Sequence, residues 1–216
     1  MHVVIINGSP RIKKFSNTDK ILEKFTFGMI ENGTTFEQYE VSDRNQWDDI
    51  RKAYEISKNI LIAIPLYVEC IPGLLMEFLE TLKPKNDGTK LGFILQGGFA
   101  EGIQLRCGEA YLKILAEKLG CIYAGTLVKG DNFSIRWFEG EMRERVTDPY
   151  IEMGREYALN EGFESEKCKK FTGPEVFPLK IRIIVGAIFA TFAKSNFKKI
   201  AKRNGCTKPL NYKPYR

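Results

Sequence analysis

The stretch His2–Lys20, "HVVIINGSPRIKKFSNTDK", governs how the rest of the chain is read. Val3–Ile6 is a continuous apolar run, the pattern of a parallel strand covered on both faces. Gly8 permits a tight turn after it, and Ser9 and Arg11 bring hydrogen-bond donors to that turn. Ser16, Asn17 and Thr18 stand at the mouth of a helix predicted over Asp19–Asn32. Ile21, Leu22, Phe25 and Met29 share one face of that helix, and Gly33 is placed to stop it. A helix N-terminus offers free N–H groups and the positive end of a dipole, so the turn suits a dianion such as a phosphate. The plainer reading is a surface turn with Ser16 or Asn17 as the N-cap. The loop lacks both the G-x-G-x-x-G spacing and a closing Gly-Lys-Ser/Thr, so it is neither of the better-known nucleotide motifs.

Outward from this stretch, strand and helix patterns alternate. Thr35–Val41 alternates in polarity, as a strand nearer an edge does, and Trp47–Ser57 has helical spacing. Asn59–Ile64, "NILIAI", is the most apolar strand, and Pro65 ends it. The loop "PLYVECIPG" leads to a helix over Leu74–Leu82. Leu91–Leu95 is the next strand, followed by the loop "QGGFAEG" and a helix over Leu105–Leu119 that Gly120 closes. Cys121–Leu127 is a fifth strand. The first four strands are each followed by a helix, which predicts an α/β fold with a doubly wound parallel sheet ending near residue 130. Ligands of such sheets bind outside the carboxyl ends of the strands. Tyr67, on a proline-braced loop, either flanks a planar ring or covers the sheet end. Gly97 and Gly98 permit close backbone approach beside Gln96 and Phe99, or form a plain strand–helix turn.

The 216 residues, 44% hydrophobic, suit one sizeable domain. The formal charge of +6 is unevenly placed: ten Lys or Arg and no Asp or Glu follow Glu175. Residues 1–175 therefore hold 23 basic and 27 acidic groups, a net −4, so the basic pI does not indicate nucleic-acid binding. Five cysteines without a C-x-x-C pair, and the single histidine His2, lack the spacing of a zinc or iron–sulfur site. The cysteines are expected in the core as free thiols. With no charged-then-apolar leader at the start, the expected setting is a reducing cytoplasm.

"NGSPR" with "SNT", "PLYVECIPG" and "QGGF" together resemble the NAD(P)H-dependent FMN reductase family and its iron–sulfur flavoprotein relatives, of flavodoxin-like fold. The resemblance covers roughly the first 130 residues, the extent of one such sheet domain. It implies a five-stranded sheet of order 2-1-3-4-5 that binds FMN. Ser9, Arg11, Ser16, Asn17 and Thr18 would surround the phosphate. Pro65, Leu66, Tyr67 and Val68 would contact the flavin ring, and Gln96, Gly97, Gly98 and Phe99 would line its other side. NADH or NADPH would be the co-substrate, and a quinone, a nitro or azo compound, a flavin or a protein the electron acceptor. A homodimer or higher homo-oligomer is expected. The flavin carries the redox chemistry, so no catalytic residue and no metal is named. The cysteine motif of the iron–sulfur relatives is absent, and "RIKKFSNT" is more basic than the family's usual form. The alternative function is a non-catalytic flavodoxin-like binding module or electron carrier.

Residues 131–216 are expected to form a helical extension and basic tail of the same globular unit. Arg143–Asn160 predicts a helix interrupted near Pro149. Ile183–Ala193 holds eleven residues without charge, well short of the ~20 that a spanning helix needs. Two readings of residues 176–216 stay open. The helix packs on a second subunit and closes the flavin site, or it lies on an anionic membrane surface with the lysine cluster outward. The closing "KPLNYKPYR" reads as extended.

Overall fold

The computed structural model describes residues 1–213; Pro214–Arg216, the end of the stretch expected to be extended, lie outside the described residues. The strands are β1 (His2–Asn7), β2 (Thr35–Glu40), β3 (Asn59–Pro65), β4 (Lys90–Gln96) and β5 (Ile122–Lys129). They form one parallel sheet in the order β2-β1-β3-β4-β5, the flavodoxin-like arrangement. Helices α1 (Asn17–Glu31), α2 (Trp47–Ile56), α3 (Gly73–Leu79) and α4 (Arg106–Lys118) follow the first four strands. The central strands are buried along nearly their whole length, whereas the edge strand β2 is half-exposed.

Because side chains alternate across a strand, each central strand feeds two cores. Val4, Ile6, Ile60, Ile62 and Phe93 pack with Trp47, Ile50, Tyr54, Phe78 and Leu112 of α2, α3 and α4. Val3, Ile5, Leu61, Ile94 and Leu127 pack on the other face with Ile21, Leu22, Phe25 and Met29 of α1.

The second core is completed by residues beyond the sheet. A 3₁₀ turn (Asn132–Arg136) follows β5, then come α5 (Gly140–Thr147), α6 (Pro149–Asn160) and α7 (Glu166–Phe171). Tyr150, Met153 and Tyr157 of α6 join the α1 side of the sheet, so the first compact unit runs past residue 130 to Glu175. Helices α1 and α6 cross with their backbones in contact. A Cβ on Gly28 would overlap the Ile151 carbonyl oxygen, and one on Gly154 would overlap that of Phe25. Pro149 sits at the first position of α6, where its missing N–H costs nothing.

The second unit begins at Val176. It holds α8 (Leu179–Ile188), a π-helical turn (Phe189–Ala193) and α9 (Lys194–Arg203). No residue of these three elements is buried. After α9 the chain makes a turn, with Tyr212 N donating to Pro209 O at 2.9 Å. Cys121 and Cys168 are buried as expected, but Cys70, Cys107 and Cys206 are exposed, because their segments lie on loops and an outer helix face.

Candidate functional site

The chain leaves β1 for β2 on one side and reaches β3 on the other, so the carboxyl ends of β1 and β3 flank the switch point. Backbone hydrogen bonds carry the sheet into the loops there. Gly8 N donates to Ala63 O at 2.8 Å, and Leu66 N donates to Gln96 O at 2.7 Å. Gly97 N donates to Lys129 O at 3.0 Å.

The first loop is shaped by its own side chains. Ser9 N donates to Asn7 Oδ1 at 3.0 Å, and Arg11 N donates to Ser9 Oγ at 3.3 Å. Ser9, Ser16 and Thr18 are buried, whereas Arg11 is exposed. Ser16 is the N-cap of α1, its Oγ accepting from Asp19 N at 3.2 Å. The remaining N–H groups of that first turn have no carbonyl partner within the helix. Asn17 donates through Nδ2 to Asn132 O at 2.8 Å, while its Oδ1 is buried without a partner.

The third loop meets the first directly. Gln96 Nε2 donates to Thr18 Oγ1 at 3.4 Å, joining the end of β4 to the start of α1. Gln96 and Gly97 are buried, and Gly98 and Phe99 are exposed. In the second loop Pro65 and Leu66 are buried, and Tyr67 and Val68 are exposed. Tyr67 and Cys70 close a tight hairpin, with Tyr67 N donating to Cys70 O at 2.8 Å and Cys70 N to Tyr67 O at 3.2 Å. Its two central residues, Val68 (φ 48°) and Glu69 (φ 68°), both hold left-handed backbone without being glycine. A β-branched residue rarely accepts this conformation.

A fourth connection, after β5, was missed in the sequence. Asn132 N donates to Gly97 O at 3.0 Å, so the Asn132–Arg136 turn docks on the third loop as well as on Asn17. Asn132 Nδ2 donates to Tyr150 Oη at 2.9 Å, reaching α6. Burial pushes the Tyr150 phenol well above its usual range. Phe133 lies against Gly98, and the Arg136 guanidinium stacks on the rings of Phe133 and Trp137 at 4.6 and 4.4 Å. The rule that pointed to three carboxyl-end loops applies equally to "KGDNFS" after β5 and would have found them.

Below the first loop lies a carboxyl pair, also unanticipated. Asp19 Oδ2 accepts from Asn7 Nδ2 at 2.9 Å, and Glu40 Oε1 accepts from Gln38 Nε2 at 2.9 Å. The other oxygens, Asp19 Oδ1 and Glu40 Oε2, are buried and have no separate donor. Burial pushes the Glu40 carboxyl up to about 7, Gln38 opposes this, and the nearby Asp19 charge adds to it. A cleft lined by Asp48, Arg51, Glu55 and Lys83 opens elsewhere and shares no residue with these loops.

No protein-family model and no curated protein matches the sequence. Solved structures of similar fold do match. An NADH:FMN oxidoreductase in its apo form is 15% identical, with a TM-score of 0.55 over 80% of this chain and 96% of that one. An NAD(P)H:quinone oxidoreductase from Methanothermobacter marburgensis is 17% identical, with a TM-score of 0.53 over 74% and 98%. An FMN-dependent NADH-azoreductase from Bacillus anthracis, in complex with FMN, is 15% identical, with a TM-score of 0.51 over 74% and 98%.

Proposed function

We propose that the protein is an FMN-dependent NAD(P)H oxidoreductase. It moves hydride from a nicotinamide to bound FMN and on to a small acceptor such as a quinone, a nitro or azo compound, or free flavin. The observation that carries this reading is the joining of three carboxyl-end loops at the switch point, through the Gln96–Thr18 and Leu66–Gln96 hydrogen bonds. The fold neighbours support it: their names describe FMN-linked or nicotinamide-linked oxidoreductases, one of them in complex with FMN.

The residues fit the cofactor chemically. The first turn of α1 offers N–H groups to a phosphate, and Ser9, Ser16, Asn17 and Thr18 surround that turn with Arg11 at its rim. Ser16 Oγ accepts from Asp19 N as the N-cap, which leaves its O–H free to donate to a phosphate. The Glu40 carboxyl, pushed up to about 7 chiefly by burial, sheds part of the negative charge below the site, which favours a dianion above it. Pro65, Leu66, Tyr67 and Val68 would meet one side of the ring system. Gln96, Gly97, Gly98 and Phe99 would meet the other, the glycines letting backbone amides approach. FMN supplies the hydride-accepting and hydride-donating chemistry when bound. The chain's part is to hold it, orient it, and exclude water from it through buried Leu66 and the exposed Tyr67 and Phe99 rings.

The test is a titration of purified protein with FMN, read by flavin fluorescence, followed by anaerobic addition of NADH and then NADPH. Saturable binding and bleaching of the flavin band are expected. Thr18→Val and Arg11→Ala should each weaken FMN binding by about tenfold, the value of one charge-assisted or buried hydrogen bond. Failure to bind FMN at any accessible concentration would sink the proposal.

A further inference from the structure

We propose that Leu179–Arg203 is a docking surface for an anionic lipid bilayer, lying along the headgroup boundary with its large apolar side chains inward. The inference is independent of the flavin reading. Ile181, Ile184, Ile188 and Phe192 recur in steps of three and four and form one stripe along α8 and the turn after it. In an unbroken α-helix, Phe197 and Ile200 would fall off that stripe, because five residues overshoot one turn by ~140°. The π-helical turn corrects this. Lys194 N donates to Phe189 O, five residues back, so the turn absorbs one residue. Counted from Ile188, before the turn, Phe197 and Ile200 then stand about where i+8 and i+11 neighbours would stand, on the side of the stripe. The stripe is uncovered: Ile184 is 54% exposed, Phe192 80% and Phe197 54%.

Lys194, Lys198 and Lys202, spaced i, i+4 and i+8, form a row that starts beside the stripe at Lys194 and turns away from Phe197 and Ile200 by Lys202. This is the division of an interfacial helix, with apolar residues below the headgroups and ammonium groups among them. Charge selects the occupant. Every ionised side chain after Glu175 is basic, so the same segment of a second copy would bring like charge to like charge. Anionic headgroups neutralise it. The segment is ~37 Å long at ~1.5 Å per residue. Among the described residues no helix is long and apolar enough to cross a membrane, so the segment lies in the surface rather than spanning.

Co-sedimentation of the full chain with vesicles tests this. Phosphatidylcholine vesicles containing ~30% phosphatidylserine should retain at least ~10-fold more protein than phosphatidylcholine alone, with the difference fading at high salt. The pair Phe192→Asp and Phe197→Asp should cut retention by ~10-fold or more. The triple change of Lys194, Lys198 and Lys202 to Glu should abolish the preference for the anionic vesicles. All variants should keep the thermal unfolding of the first unit, since none of these residues belongs to it. Equal retention on both vesicle types, or unchanged retention of the Phe variant, would overturn the proposal. So would a dimer in sedimentation velocity that the Phe variant dissociates while no vesicle binds, which would assign the stripe to a second copy.

Discussion

Gly154→Ala sets two effects of opposite sign against each other. In a solvent-facing helix the change gains about 1 kcal/mol, because alanine loses less backbone entropy. Here the added methyl would overlap the Phe25 carbonyl oxygen and stand 2.9 Å from its carbon and 3.1 Å from Met29 N. These atoms are backbone and cannot rotate away. Helices α1 and α6 would have to part by roughly 1 Å, and a gap of that size forfeits up to half of each packed contact. The contacts at risk include Phe25 with Tyr157, whose ring centroids lie 5.8 Å apart, and buried Met29 and Tyr150. Overpacking typically costs about 1–3 kcal/mol, and contact with backbone places this case at the upper end. The net expectation is a loss of about 2 kcal/mol, a urea midpoint lower by about 1 M and a melting temperature lower by about 4–8 °C. The assay is urea unfolding followed by far-ultraviolet circular dichroism. Gly73→Ala, at the exposed start of α3, is the control: nothing lies within 4 Å of its Cβ position, so its midpoint should hold or rise, by no more than about 1 kcal/mol. A Gly154→Ala protein as stable as wild type, or more stable, would refute the backbone contact between α1 and α6.

The carboxyl pair predicts a pH dependence. Glu40 is pushed from the usual 4.5 up to about 7, chiefly by burial, with Asp19 adding to the rise and Lys13 opposing it. The folded protein thus holds a proton that the unfolded chain has lost between those values, and stability falls as pH rises through that window. Glu40→Gln should flatten this fall, leaving the variant the more stable of the two at pH 8; urea midpoints at pH 5 and pH 8 check it. In the second loop, Val68→Asn should raise the melting temperature by a few degrees, about 1 kcal/mol, because asparagine accepts the left-handed backbone that valine resists. An unchanged or lower melting temperature would mean that Val68 is not strained.

The sheet was legible in the sequence because its information is local. A parallel strand buried on both faces must be apolar without interruption, as "VVII" and "NILIAI" are, and the glycine- and proline-marked loops fall at the carboxyl ends by the logic of the fold. Ser16 carried two readings, cap or phosphate ligand; the hydrogen bond from Asp19 N makes it the cap and leaves its hydroxyl proton for the other role. What the sequence could not disclose depends on residues far apart in the chain. Asn17 and Asn132 are separated by 115 positions, and neither shows its partner by spacing. Gly28 and Gly154 look like weak points in their own helices until the helices cross. Asp19 and Glu40 are ordinary surface acids until β2 pairs with β1 and brings Glu40 beside Asn7. Periodicity decided which residues face a core, since one element's geometry suffices for that. Tertiary structure alone decided which polar groups meet and which carboxyl keeps its proton, because hydrogen bonding and desolvation act between elements that the chain order does not bring together.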